Sequence, residues 1–184
     1  MEKELMTAEG IKRQLAYPFD NMEVSRQCKK WKKVLKESVS DCICKRIAIL
    51  GGSTTKHVRD VLELFLLREG IECEFYESNY ARFWEEGVFH NEELEKFSPH
   101  IIYIFTSCRN LNIKGTVEKE YDRFQLLWER LQERYSCTIL QNNFELPFYR
   151  LLGNQDAVLK RGDSYFINSM NEKFYDYARN TKNF

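Results

Sequence analysis

The residues able to do chemistry stand in four short polar sets, each placed directly after an apolar run. The first is Gly51-Gly52-Ser53-Thr54-Thr55, which follows Ile47-Ala-Ile-Leu50. Two adjacent glycines let the backbone take positive φ and approach a ligand closely, and Ser53, Thr54 or Thr55 can cap the helix that begins near Lys56. The N-terminus of that helix carries partial positive charge, so its backbone N–H groups and these hydroxyls would cradle a phosphate or carboxylate. The same residues serve equally well as a plain turn and cap. They are not a P-loop, because the Gly-Lys-Ser/Thr ending is missing.

The second set is Asn79-Tyr80 with Arg82, Phe83 and Trp84, after Ile71-Glu-Cys-Glu-Phe-Tyr76. The third is Thr106-Ser-Cys-Arg-Asn110, after Ile101-Ile-Tyr-Ile-Phe105, and the fourth is Gln141-Asn142-Asn143, after Cys137-Thr-Ile-Leu140. Within the third set, Cys108 can accept an acyl group as a thiol, with Arg109 lowering its pKa, or it can be a small buried hydrophobe.

Such sets act together only if one fold brings them to one edge. The four apolar runs have the length and β-branched content of strands, and helical stripes separate them. Val58, Val61, Leu62, Phe65 and Leu66 fall at helical spacing from about Lys56 to Glu69, with Gly70 as the C-cap. Val117, Tyr121, Phe124, Trp128 and Leu131 form a second stripe; Phe166, Ile167, Met170, Phe174 and Tyr177 form a third, capped by Asp163 or Ser164. Strand and helix in alternation predict an α/β fold, a three-layer α/β/α sandwich with a mainly parallel sheet. All four sets then lie at the carboxyl ends of the strands, where open α/β sheets bind ligands.

The 184 residues suffice for one domain with a sizeable core. The expected division is an N-terminal helical extension, 1–44, and an α/β domain, 45–184. Pro18 breaks the extension into two helices. In the second, about Met22 to Lys36, Lys29-Lys30-Trp31-Lys32-Lys33 reads as a solvated face with Trp31 packed inward.

Lysine plus arginine equals aspartate plus glutamate at 28 each, so no net field gathers nucleic acid or an anionic membrane. No apolar run approaches a membrane span. Six cysteines without an apolar signal segment at Met1 to Gly10 predict reduced thiols and a cytoplasmic protein. Cys42 and Cys44 are one residue apart, and neither Cys-x-x-Cys nor His-x-x-x-His occurs, so neither a metal site nor any other cofactor is expected.

Taken together, Gly51-Gly52-Ser53-Thr54-Thr55, Phe75-Tyr76-Glu77-Ser78-Asn79-Tyr80, Gln141-Asn142-Asn143-Phe144-Glu145 with Pro147, Leu152-Gly153-Asn154, and Phe166-Ile167-Asn168 with Asn171 resemble one family. It is the N-terminal domain of the FkbH-like proteins, in subclass IIIC of the haloacid-dehalogenase superfamily. The resemblance implies an SGNH-hydrolase-like (GDSL-like, flavodoxin-like) fold. It also implies a partner phosphatase domain and a role in moving a glyceryl-type acyl or phosphoacyl unit onto an acyl carrier protein. By the same resemblance, Ser53 matches the nucleophile and Asn110 an oxyanion donor. Gly51, Gly52, Thr54, Thr55, Asn79, Arg109 and Asn142 would line the substrate site.

Three departures accompany it. The phosphatase motif Asp-x-Asp-x-Thr is absent, Gly52 replaces the aspartate of Gly-Asp-Ser, and Asp163-Ser-Tyr-Phe166 stands where Asp-x-x-His belongs. No histidine follows His100, which argues against an ordinary Ser-His-Asp hydrolase unless His57 is recruited as base. The expectation is therefore an acyl-binding, transfer-assisting domain. Its rivals are a degenerate scaffold that docks a partner domain or carrier, and a free-standing esterase.

Overall fold

The computed structural model describes residues 7–38 and 41–184. The reading of Met1 to Gly10 falls mostly outside the described residues. The elements are α1 (Ala8–Gln14), α2 (Asn21–Ser38), β1 (Ile43–Gly51), α3 (Lys56–Arg68), β2 (Ile71–Glu77), α4 (Phe83–Val88), α5 (Glu92–Phe97), β3 (Ile101–Phe105), α6 (Val117–Arg134), β4 (Thr138–Gln141) and α7 (Asp163–Asn180). Short 3-10 turns occur at Cys108–Asn110 and Gly153–Gln155.

The class is α/β, a four-stranded parallel sheet flanked by helices, as a three-layer sandwich requires. Strand order is β2-β1-β3-β4. The chain leaves β1 for one neighbour and later returns to its other side, so a topological switch point falls between the ends of β1 and β3. The ladder of β3 on β4 pairs Ile101 with Thr138 through Ile104 with Gln141. Ile43 N donates to Gly70 O and Ser78 N to Ile49 O, so β2 runs beside β1 in the same direction.

Two compact units share the chain, one with residues up to Ile47 and Thr55–Phe75, the other with Ala48–Thr54 and Tyr76–Phe184. In the first, Ile11, Leu15, Val24, Cys28, Trp31, Leu35, Leu64 and Leu67 make a core. Trp31 is 2% exposed, as its packed reading requires. The lysine cluster around it is not wholly solvated. Lys32 Nζ donates to Asp60 Oδ1 at 2.9 Å and Glu63 Oε2 at 2.6 Å, and Lys36 Nζ lies 2.7 Å from Glu63 Oε1. Burial alone would raise the two carboxyls, but hydrogen bonds from Lys32, Arg59 and Lys36 outweigh it and hold them below the ordinary range.

The face of α3 differs from the expected stripe: Leu64 and Leu67 are its buried residues, while Val61 is exposed. Val58, Val61, Leu62 and Phe65 satisfy a helical period, but period alone does not say which apolar arc finds a partner. Gly70 takes φ +75° just past the helix, as a C-terminal glycine should.

The second unit packs Leu50, Ile102, Ile104, Phe124, Leu127, Trp128, Leu131, Ile167, Met170 and Phe174 into one core. Here α6 and α7 use the expected stripes. The cap of α7 is a correction: Gly162 holds the N-cap position without a side-chain bond, and the buried Asp156 carboxylate accepts from Ser164 N at 2.8 Å. Gly162 is required there, because a Cβ would meet Asp156 O at 1.9 Å. No described helix is long and apolar enough to cross a membrane.

Candidate functional site at the strand ends

In the second unit the polar sets do converge, at the carboxyl ends of β1, β3 and β4. Gly52 N donates to Phe105 O at 2.8 Å, which ties the end of β1 to that of β3. Asn110 locks this junction: its Nδ2 donates to Gly52 O at 2.9 Å, and its Oδ1 accepts from Ser107 N at 2.9 Å. A Cβ at position 52 would lie 2.4 Å from Asn110 Oδ1. Gly52 is thus a glycine because the Asn110 amide fills the space that the aspartate of a Gly-Asp-Ser motif would need.

Behind the lock stands Arg123 on α6. Its Nη2 donates to Asn110 O at 2.9 Å, while Glu120, buried beneath, accepts from Arg123 Nη2 at 2.6 Å and from Asn112 N at 3.1 Å. An ion pair with three such bonds fixes the whole 3-10 turn that carries Cys108 and Arg109.

Asn142 is committed in the same way. Its Oδ1 accepts from Thr106 N at 2.9 Å and its Nδ2 donates to Thr106 O at 2.7 Å, extending the β3–β4 ladder with a side chain. Asn79 turns to Glu86, its N and Nδ2 donating to Oε1 at 2.8 and 3.0 Å. Tyr76 OH and Asn91 Nδ2 donate to the other oxygen of this buried carboxylate at 2.7 and 3.2 Å. Burial and the Glu86 bond push the Tyr76 phenol up to about 12. The expected oxyanion donors are therefore occupied with one another and with backbone.

Ser53 is half-buried at the end of β1, and no described side chain hydrogen-bonds its hydroxyl. Thr54 and Arg109 are exposed; Gly51 is buried, its N–H given to Ser78 Oγ at 2.9 Å. Thr55 belongs to the other unit, is buried, and does not cap α3 with its side chain. His57 is exposed on the first turn of α3, and His90 pairs with Glu95 at 3.0 Å. His100 directly precedes β3, at the amino end of the strand whose carboxyl end carries the site.

At Cys108 the expected lowering by Arg109 is outweighed. Burial and the Glu145 carboxylate push its thiol up, and Arg109 does not offset them. The Cys108 backbone N–H also donates to both Glu145 oxygens at 3.3 Å. Ser78, Glu86, Arg123 and Glu145 were invisible in the strand-end reading because each acts from another element. The signal that could have found Arg123 is its i,i+3 charge pair with Glu120, just before Phe124 on a buried stripe.

Fold and site together define an α/β domain with a polar rim at its switch point. No family model matches this sequence, and no curated protein matches it. Among solved structures it is similar to the N-terminal part of the protein BF1531 from Bacteroides fragilis, containing a phosphatase domain and crystallised in complex with Mg. The TM-score is 0.72 at 17% identity, over 85% of this chain and 43% of that one. The likeness is one of fold, and this chain spans less than half the length of that structure.

Proposed function

We propose that this chain is an SGNH-like domain of the FkbH-like kind, binding a small acyl or phosphoacyl unit of glyceryl type and assisting its transfer to an acyl carrier protein. A separate haloacid-dehalogenase-type phosphatase domain would supply the phosphate chemistry, for which these 184 residues hold no Asp-x-Asp-x-Thr motif. The observation that carries the reading is the rigid junction of β1 and β3, which presents Ser53 and Thr54 beside a turn bearing exposed Arg109. Hydroxyls and a guanidinium at a switch point favour a carboxylate or phosphate through charge-assisted hydrogen bonds. The likeness to a protein with a phosphatase domain supports the same reading.

A serine without a base is a weak nucleophile, so hydrolysis by this chain alone is not proposed. Wild type and Ser53→Ala should turn over p-nitrophenyl esters equally slowly, and fast turnover lost in Ser53→Ala would restore the esterase. Calorimetry with 3-phosphoglycerate should give heat that glycerol does not, and Arg109→Ala should remove most of it. One observation favours the second reading, a docking scaffold without catalysis: Asn79, Asn110 and Asn142 all spend their amides internally. Equal, negligible heats from both ligands would make that scaffold the better account.

A further inference from the structure

At the opposite, amino end of β1, Cys42 and Cys44 flank Ile43 and are both exposed. Side chains two apart in an extended chain share a face. Ile43 N donates to Gly70 O, a register that sets Glu72 of β2 beside Cys44 on that face. The two sulfurs and a Glu72 carboxylate oxygen lie within 4.8 Å of one another, and Cys42 Sγ is 3.4 Å from Glu72 Oε2.

From this geometry we infer that Cys42, Cys44 and Glu72 form a binding site for one thiophilic divalent cation of the zinc class, with a fourth position open to solvent or a further ligand. Ligands at about 2.0–2.3 Å from a tetrahedral ion stand about 3.3–3.8 Å apart, so small rotamer changes close this set around one. A disulfide fits worse, because Cα atoms two apart in a strand are about 6.7 Å apart, at the far limit for that bond. The Cys-x-Cys spacing concealed the site: its third ligand comes from the neighbouring strand, 28 residues on. Binding forms two metal–sulfur bonds and one metal–oxygen bond, and the two thiol protons pass to solvent.

Three thiols cannot compete: Cys28, Cys73 and Cys137 are buried. Cobalt(II) serves as an optical probe on the reduced chain. One equivalent should produce a thiolate-to-cobalt band in the near ultraviolet that one equivalent of zinc abolishes. Cys42→Ser and Cys44→Ser should lack the band, Cys108→Ser should keep it, and Glu72→Gln should need at least about tenfold more cobalt. All four positions tolerate these changes in size, and circular dichroism checks that each variant is folded. No band in the wild type, a band that survives either serine variant or vanishes in Cys108→Ser, or unchanged affinity in Glu72→Gln would overturn the site.

Discussion

Gly52 and Asn110 behave as one residue divided between the segments that follow β1 and β3, since the amide of one occupies the Cβ space of the other. Gly52→Ala should destabilise the fold by about 1–3 kcal/mol through overpacking. Asn110→Ala should cost a similar amount, because it leaves Gly52 O and Ser107 N without their partner. The double variant should cost less than the sum by more than about 0.5 kcal/mol in urea denaturation, which measures the coupling directly. At Cys108 burial and then the Glu145 carboxylate push the thiol up, against the smaller opposite pull of Arg109. Alkylation of Cys108, followed by peptide mapping, should therefore need a higher pH than an ordinary thiol, and Glu145→Gln should lower that pH. The sequence placed Ser53, Cys108, Asn110 and Asn142 at one edge because strand ends are legible in apolar runs. It could not say where their amides point, since a side chain's partner depends on neighbours far along the chain.

At the scale of elements, all four strands and the three long helices of the α/β part follow from hydrophobic period, and their order follows from alternation. What period cannot supply is an end held from elsewhere. Asp156, eight residues before Ser164, caps α7, and Ser164, with Leu152 N–H and Arg150 near it, holds its carboxyl below the ordinary range. A depressed folded pKa contributes stability above the unfolded value and loses it as pH falls through the folded one. The melting temperature of Asp156→Asn should thus fall below that of wild type by a constant amount at neutral pH. The gap should close below about pH 4, as thermal melts across a pH series will register. In α3 the buried pair was missed because Leu64 and Leu67 lie across the helix from Leu62 and Phe65, and only packing says which arc is covered most deeply.

For the whole molecule, equal charge counts remove long-range repulsion near pH 6.8, where association is least opposed. The segment after β4 then matters, because Phe148 is 91% exposed, Tyr149 77% and Leu151 85%. Solubility should pass through a minimum near neutral pH, and Phe148→Ser with Tyr149→Ser should raise it there without shifting the melting temperature. Composition gave the charge balance; it could not reveal that β1 passes from one compact unit into the other, which is a property of contacts. The grip of Asp156 on the start of α7 also makes residues 157–161 a loop closed at its base, with Tyr165 N bonded to Asp156 O at 3.0 Å and Val158 turned outward. The entropy of closing a loop grows only slowly, about 0.6 kcal/mol for each doubling of its length. An affinity tag or fluorophore-bearing peptide spliced after Val158 should leave the helix register intact, giving the protein an internal handle.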